Sequence, residues 1–357
     1  MPEALPLRGM TGQTKMFTIL DPTQIADWDD KVSRLPGASF FHCSAWAQVL
    51  KQSYGFTPVY FTQAEGCMPA VIPMMEVNSF LTGKRAVSLP FTDYCEPLVP
   101  HVEVSKVLFE AMVEEGRKRE WKYIELRGGT DFLGDGQASE WFYRHILDLT
   151  PGTDALFKNL RDSTRRNIKK AEKEGVEVRF ESTPEALREF CRLNCLTRRE
   201  HGLPPQPWHF FEKLHEQILA RGMGAVALAF YQDKAVAANV YLHANGEAIF
   251  KYGASDKTWQ NLRASNLVMW AAIKRYAGQG AKNLCFGRTE PENEGLRQYK
   301  SGWGTDESII NYYCYDLSAD AFVRRPKVVS ARAGQMLSRM PIPALKAVGN
   351  LLYRHMG

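Results

Sequence analysis

Two stretches of the chain share one pattern: KVLFEAMVEEGRKREWKYIEL, from Lys106 to Leu126, and NLVMWAAIKRYAGQGAKNLCF, from Asn266 to Phe286. When the first is shifted by 160 residues (266 minus 106) onto the second, apolar positions coincide, for example Ile124 with Leu284. Each copy begins with apolar residues at helical spacing and ends in a short run typical of a strand. A repeated pattern at a fixed offset indicates an internal duplication.

A predicted pair of strands with a polar turn precedes each copy. The first pair is Val59–Phe61 and Ala70–Met75, around Ala64-Glu65-Gly66. The second pair is Ala225–Tyr231 and Ala235–Leu242, and the hairpin signal Asn245-Gly246 then leads into Glu247–Tyr252. The sequence therefore predicts an α/β fold of mixed α+β type, in which each half is a mixed, largely antiparallel sheet flanked by helices.

The halves are predicted to meet at the turn Thr150-Pro151-Gly152. We expect a leader over residues 1–16, domains over 17–150 and 151–317, and a basic amphipathic tail over 318–357. Three helices are predicted at the front of the second half, over Asp154–Glu174, Pro184–Arg199 and Trp208–Ala220. The final strand is predicted over Ile309–Tyr315.

Composition narrows the class of protein. The chain has 357 residues, of which 45% are hydrophobic and 24% charged, as in globular proteins. A net charge of +5 is too small to predict nucleic-acid binding by itself. Seven cysteines occur without a C-x-x-C pair, which favours reduced thiols in a cytosolic protein over a metal site. No stretch is apolar enough for a signal peptide or a membrane span.

Two segments carry candidate chemistry. Leu156–Phe180 (LFKNLRDSTRRNIKKAEKEGVEVRF) contains most of the helix predicted over Asp154–Glu174, which is cationic. Its arginines suit phosphate groups, unless it is simply a solvated surface helix. Phe286–Gly304 (FGRTEPENEGLRQYKSGWG) places Lys300 among glycines and aromatic residues. Glycines allow a ligand to approach the backbone, although the segment could equally be a connection to the final strand.

Three segments resemble the FemAB-like family: TRRNIKKAEKEGVEV, FGRTEPENEGLRQYKSGWG, and FFHCSAWAQVLKQSYGFTPVYF at Phe40–Phe61. The resemblance runs from about Phe40 to Leu317, and the tail PIPALKAVGNLLYRHMG is similar to tails of FemAB-like proteins linked to envelope polysaccharide synthesis. It implies tandem duplicated GNAT-like domains, GNAT being the N-acyltransferase fold. It also implies transfer of an acyl or aminoacyl group to an amine of a peptidoglycan or polysaccharide precursor.

The resemblance also implies roles for particular residues. Arg165 or Arg166 matches the basic helix position that holds acceptor phosphates, and Lys300 matches a late lysine at the reaction centre. Tyr299 stands where the family usually has phenylalanine. In the first half, Asp93 occupies the loop that lines the acceptor groove in the family.

Further candidates complete the predicted site. Asp93 could accept hydrogen bonds from an amine and act as a base, a role for which Glu290 is the alternative. Lys300 is the candidate for stabilising an oxyanion or a leaving group. The candidate substrate-binding residues beside Arg165 and Arg166 are Tyr94, Lys251, Arg288, Tyr299 and Trp303. No nucleophile–base grouping is recognisable, so direct transfer is favoured over a covalent intermediate.

The acyl donor stays open. GNAT enzymes hold the CoA pyrophosphate with a Q/R-x-x-G-x-G/A loop at a helix start, and here the corresponding stretch is Gln260–Ser265. Arg263 and Ser265 replace both glycines, which argues against acetyl-CoA, although Arg263 could bind phosphate differently. No tightly bound cofactor is expected, and the co-substrate is an acyl-CoA or an aminoacyl-tRNA. The chain lacks the long helical hairpin of some tRNA-dependent relatives, which also argues against tRNA.

Two other classes of protein remain open. A small-molecule acetyl-CoA N-acetyltransferase would bind acetyl-CoA saturably. A non-catalytic protein could use the basic helix and tail to bind RNA or anionic membrane, because Leu345, Val348 and Leu352 fall on one helical stripe near Arg354. The same stripe could instead dock onto the protein body. The expected location is cytoplasmic, with peripheral contact at the inner face of the membrane left open.

Overall fold

The computed structural model describes residues 17–63, 70–99, 102–134, 136–324 and 331–357. The leader predicted over 1–16 and the turn predicted at 64–66 lie outside the described residues. The strands are β1 (Phe17–Leu20), β2 (Thr57–Pro58), β3 (Tyr60–Gln63), β4 (Val71–Ile72), β5 (Met75–Ser79), β6 (Gly83–Val87), β7 (Tyr123–Arg127), β8 (Glu140–Asp148), β9 (Glu177–Glu181), β10 (Gly224–Tyr231), β11 (Lys234–Ala244), β12 (Glu247–Ser255), β13 (Asn283–Thr289), β14 (Asp306–Asp316) and β15 (Ala321–Phe322).

Helices pack on both faces of the sheet, and further helices form the C-terminal end of the described chain. They are α1 (Trp28–Val32), α2 (Ser44–Tyr54), α3 (Val102–Lys118), α4 (Thr130–Leu133), α5 (Thr153–Asn159), α6 (Asp162–Lys173), α7 (Pro184–Glu200), α8 (Trp208–Gln217), α9 (Ala264–Gly278), α10 (Glu294–Ser301), α11 (Ala331–Ser338) and α12 (Ile342–Leu352). Local sequence explains where several of them begin. The Thr183 hydroxyl, for example, accepts from the Ala186 amide ahead of Pro184 at the start of α7.

The duplicated pattern is confirmed as helix followed by strand. The first copy forms α3 and β7, and the second forms α9 and β13. Each of these strands pairs in parallel with the strand that precedes the helix, β6 with β7 and β12 with β13. Most other pairings are antiparallel, so the predicted fold class is confirmed.

One continuous twelve-stranded sheet runs through both halves, in the order β2-β5-β6-β7-β14-β8-β13-β12-β11-β10-β9, with β15 beside β14. Within this sheet, the last strand of each half pairs with a strand of the other half. β8, from the first half, pairs with β13, and β14, from the second half, pairs with β7. β8 and β14 also pair with each other at the centre. The boundary predicted near Thr150 is therefore crossed by strand pairing in both directions.

The prediction of a single helix over Asp154–Glu174 is wrong. The backbone is extended at Leu160 and Arg161, which separates α5 from α6. The cause is tertiary, because the Arg161 amide donates to the Gly302 carbonyl instead of continuing the helical ladder. Helix α7 is confirmed. α8 ends at Gln217, and a short 3₁₀ turn over Leu219–Arg221 follows it.

The C-terminal tail packs against the body. Leu345 of α12 is buried, and Tyr353 accepts a hydrogen bond of 2.9 Å from Arg198 on α7. Beyond it, the buried Arg85 donates to the carbonyls of His355 (2.9 Å) and Gly357 (3.2 Å). Of the two outcomes predicted for the tail, docking onto the protein is the one observed.

Candidate functional site

The end of β13 is organised around Gly287. The Lys300 amine, on α10, donates to the carbonyls of Gly287 (3.1 Å) and Arg288 (2.8 Å). Lys300 is only 3% exposed, and burial lowers the pKa of its amine to about 8, although the charge of Asp93 partly opposes this shift. An ammonium group has three N–H donors, so one remains after these two bonds.

Asp93 also lies close to Gly287. Gly287 has φ +70°, and a Cβ at this position would lie 2.8 Å from the Asp93 Oδ2 atom. The Asp93 carboxylate is 3.7 Å from the Lys251 amine, which donates to the Phe91 carbonyl at 2.7 Å. Burial lowers the pKa of Lys251, and Asp93 opposes that shift. The fold thus brings together three charged residues that are distant in sequence.

A small pocket of about 230 Å³ opens beside Asp93. We call it the arginine pocket, because Arg127, Arg198 and Arg288 line it. Arg288 donates to the Tyr312 hydroxyl at 2.9 Å, and Tyr312 in turn donates to the backbone carbonyl of Asp93. Nearby Tyr312 and Asp93 hold the pKa of Arg288 above its ordinary value despite its burial. With three guanidinium groups and one carboxylate, the arginine pocket suits an anionic group such as phosphate.

A larger cleft of about 540 Å³ lies at the start of α9, and we call it the α9 cleft. Gln260, Arg263 and Ser265 line one side of it, and Arg161, Gln298 and Tyr299 line another. Arg263 keeps a left-handed backbone conformation (φ +58°) that favours glycine. The turn expected of a pyrophosphate loop is therefore retained, although its glycine is replaced. A helix N-terminus combined with two arginines suits a phosphate-bearing ligand.

Some predicted site residues lie apart from both cavities. Arg165 and Arg166 are on α6 but do not line the α9 cleft or the arginine pocket. The Arg165 guanidinium is paired with Asp162 and with the Lys158 carbonyl (2.8 Å). Tyr94 is buried and accepts from Arg144, whose guanidinium lies 3.8 Å from the centroid of its ring.

Trp303 packs in the core below Tyr299, with ring centroids 5.9 Å apart. Its place in the core explains how it can support the Tyr299 side of the α9 cleft without lining it. Lys300 is next to Tyr299 on α10, so this helix connects the α9 cleft to the end of β13.

Sequence reasoning missed three residues near the site. Arg127 and Arg198 line the arginine pocket but belong to no recognised motif. His145, on β8, is fully buried and lies 3.1 Å from Glu307; burial and then the charge of Lys300 lower the pKa of its imidazole. For Arg127 the sequence offered one signal, because this residue directly follows the strand that ends the first repeat.

The described ranges contain neither a cluster of metal ligands nor a membrane-spanning helix. Within those ranges, His, Cys, Asp and Glu side chains do not form any group of three or more suited to a metal ion. In the same ranges, every helix is too short or too polar to cross a bilayer. Of the described cysteines, Cys191 is half-buried and the others are buried, and none forms a disulfide.

Comparison with known proteins agrees with this geometry. Residues 158–301, which include the α9 cleft and α10, match the family model described as an acetyltransferase (GNAT) domain. This match covers less than half of the chain. No curated protein sequence matches the chain.

Solved structures extend the similarity beyond this GNAT domain. FemX superposes with a TM-score of 0.65 at 13% identity, covering 83% of this chain and 96% of FemX. A tandem GNAT protein from the clavulanic acid biosynthesis pathway gives 0.54 at 10% identity, covering 84% of this chain and 98% of that one. The C-terminal DUF2156 domain of a protein designated a lysylphosphatidylglycerol synthetase, from Agrobacterium fabrum, gives 0.54 at 12% identity, covering 88% and 94%.

These matches concern the fold across most of the chain. The resemblance to FemAB-like proteins that the sequence motifs suggested is confirmed at that level, together with the duplicated GNAT-type architecture. The protein therefore has a duplicated GNAT-type fold.

Proposed function

We propose that this protein is an acyltransferase or aminoacyltransferase that acts on an amine of a phosphate-bearing cell-envelope precursor. The observation that carries the proposal is the meeting of Lys300 and Asp93 at Gly287, between a cleft and a pocket that both suit phosphate. FemX and the lysylphosphatidylglycerol synthetase domain share the fold and support this class of reaction.

The α9 cleft is assigned to the donor. Its helix N-terminus and its residues Arg161, Arg263 and Ser265 would hold the phosphates of an acyl-CoA or the 3′ end of an aminoacyl-tRNA. The retained positive φ of Arg263 favours the acyl-CoA, because the backbone still turns as a pyrophosphate loop would. The Arg263 guanidinium would then bind the donor phosphate in place of part of the close backbone contact that a glycine permits.

The arginine pocket is assigned to the acceptor. Arg288 and Arg127 would bind its phosphate, while Asp93 accepts a hydrogen bond from its amine. The Lys251 amine, 3.7 Å from the Asp93 carboxylate, helps to orient it, and Asp93 takes the proton that the amine loses. This assignment moves the acceptor phosphates away from Arg165 and Arg166, which line neither cavity.

The proposed reaction is a direct transfer. The amine attacks the acyl carbon and gives a proton to Asp93, and a tetrahedral oxyanion forms. Its collapse breaks the carbon–sulfur or carbon–oxygen bond, and the donor leaves as a thiolate, or as an alkoxide that takes the proton from Asp93 to become an alcohol. The third N–H of the Lys300 ammonium stabilises the oxyanion or the leaving group as negative charge develops. Contact with the inner face of the membrane is a further part of the proposal, because a lipid-linked acceptor would be found there.

Calorimetric titration tests the donor first. The purified chain would be titrated with acetyl-CoA, longer acyl-CoAs and a charged aminoacyl-tRNA, beside Lys300→Ala and the exposed-site control Lys169→Ala. Saturable binding of one donor by all three proteins, with transfer lost only in Lys300→Ala, is the expected result. Binding of RNA or anionic vesicles, with no binding of any donor, would favour the alternative of a non-catalytic binding protein instead.

Comparing acceptors distinguishes the proposal from the alternative of a small-molecule acetyltransferase. If acetyl-CoA binds, transfer would be compared between an amino sugar and the same sugar carrying a nucleotide diphosphate. The proposal expects the diphosphate to lower KM through Arg127 and Arg288. Equal KM values for the two acceptors would favour a simple acetyltransferase.

A further inference from the structure

A third cavity shares Gln206 with the arginine pocket and shares no lining residue with the α9 cleft. It occupies about 430 Å³ between α7, the segment 205–208 and the tail helix α12. This volume is within the range of about 300–1,000 Å³ that is typical of small-molecule sites. Asp93 and Lys300 do not line this cavity, so a ligand bound there does not take the place of either residue in the transfer reaction.

The walls of this cavity are mainly apolar. Leu196, Pro207, Trp208 and Ile342 line it, together with the thiols of Cys191 and Cys195. Burial raises the pKa of both thiols, so they stay protonated and uncharged. Surfaces of this kind favour a hydrocarbon chain, because each buried methylene contributes about 0.8 kcal/mol.

The charged side chains of the cavity are all cationic: Arg188, Arg192 and Lys346 line it, without an acidic residue. Arg192 is already bound to Glu189 (3.0 Å) and to the Ala235 carbonyl (2.7 Å). Arg188 stacks on Trp208, 4.4 Å from the ring centroid, and neither it nor Lys346 forms an ion pair with a described carboxylate. These two cations are available to an anionic head group.

The tail helix completes the cavity by a close backbone contact. A Cβ at Gly349 would lie 2.1 Å from the Pro205 carbonyl oxygen, so only glycine lets α12 approach this closely. Ile342, Lys346 and Asn350, four residues apart, then form one stripe that faces α7. The cavity therefore exists because α12 is docked.

We infer that this cavity binds a single-chain anionic amphiphile, with its hydrocarbon chain against Trp208 and Ile342 and its head group against Arg188 and Lys346. The head group is a carboxylate or a phosphate, since a guanidinium and an ammonium together accept either. The apolar walls explain why a hydrocarbon is needed, and the cationic rim explains why its head is negative.

Isothermal titration of the full chain tests the inference, with dodecanoate and dodecyl phosphate kept below their critical micelle concentrations. We expect saturable binding of at least one of them, binding of dodecanol at least tenfold weaker, and none of acetate or inorganic phosphate. Lys346→Glu should weaken the anionic ligand tenfold or more and leave dodecanol unchanged. The control Lys106→Glu reverses an exposed charge on α3 and should change nothing.

A local measurement shows where the ligand lies. Cys191 is the half-buried cysteine of the described chain. Because its thiol is mostly protonated, its maleimide labelling is slow, and it would be followed over hours at alkaline pH by peptide mass spectrometry. The bound amphiphile should slow labelling of Cys191 several-fold in the wild type, and Gly349→Ala should abolish this protection by displacing α12. Binding without protection of Cys191, or equal affinity for dodecanol and dodecanoate, would overturn the inference.

Discussion

The ends of β7 and β13 correspond in the duplication, although the 160-residue shift aligns Gly128 with Arg288 and Gly287 with Arg127. Both ends place a glycine against a carboxylate of one loop. At the end of β7, a Cβ on Gly128 (φ +111°) would lie 2.6 Å from the Glu96 carboxyl group. At the end of β13, a Cβ on Gly287 would lie 2.8 Å from Asp93. The two acids are three residues apart in the loop that follows β6.

The partners of these two strand ends differ in charge. Beside Gly128, the Glu96 carboxylate accepts from the Gly129 amide (2.5 Å), and the Arg127 carbonyl accepts from the Cys95 amide (2.7 Å). Burial raises the pKa of Glu96. Beside Gly287, by contrast, the partners are the amines of Lys251 and Lys300. Duplication thus supplied two similar frames, and buried lysines were added to only one of them.

The largest effect should come from removing the charge at the β13 end. Lys300→Met should lower kcat about 10²–10³-fold, the usual loss when an oxyanion donor is removed. Donor affinity measured by calorimetry should stay within about threefold, because Lys300 lines neither cavity. The exposed Lys169→Met on α6 serves as the control. Loss of donor binding together with kcat would mean that Lys300 only supports the fold.

The arginine pocket should be sensitive to loss of Arg288, whose charged hydrogen bonds are worth about 1.5–3 kcal/mol. Arg288→Ala should raise KM for a phosphate-bearing acceptor about 10–100-fold, and Arg127→Ala should act in the same direction. Arg165→Ala, on α6 and outside the arginine pocket, should change KM less than about twofold. Equal effects of Arg165→Ala and Arg288→Ala on KM would mean that α6 also binds the acceptor phosphate.

The pH profile tests the charge state of Lys300. Its pKa is about 8, so the ammonium form predominates below that pH and is lost above it. Activity should therefore fall about tenfold for each pH unit above 8, because only the cation stabilises an oxyanion. Lys300→Arg should remove this alkaline limb, since arginine does not titrate there. An unchanged limb in that variant would assign the titration to another group.

Gly287→Ala and Gly128→Ala form a matched pair. Each introduces a Cβ at positive φ against a carboxylate, so each should destabilise the fold by about 1–3 kcal/mol in urea unfolding. Only Gly287→Ala should also lower kcat, by about tenfold, because only Asp93 acts as the proposed base. Similar losses of kcat in both variants would remove the distinction between the two strand ends.

The smallest effect is expected at the α9 cleft. Arg263→Gly places glycine at φ +58° and should raise the free energy of unfolding by less than about 1 kcal/mol, a shift of a few degrees in Tm for a chain of this size. Donor affinity should fall about tenfold if the guanidinium binds phosphate. Tighter donor binding in Arg263→Gly would instead mean that a close backbone approach matters more than the arginine.

Much of the fold could be predicted because local patterns encode it. Apolar spacing located α3, α9 and the strand that follows each, and Asn245-Gly246 located the hairpin between β11 and β12. The candidate site was predictable only where a motif carried it, as for Lys300 and Arg263. Arg198 could not be found this way, and the position of Arg127 directly after the first repeat was the only signal for that residue. Each contributes through its position beside another element and belongs to no motif of its own.

By itself, the sequence determined the duplication, the GNAT-type element order and a lysine in a glycine-rich segment, since periodicity and turn residues act over short distances. Only the tertiary structure decided the exchange of β8 and β14, the break between α5 and α6, and the meeting of Asp93 with Lys300. These features depend on hydrogen bonds and burial between residues far apart in the chain. The pKa of Lys300 is lowered because the fold removes its amine from water.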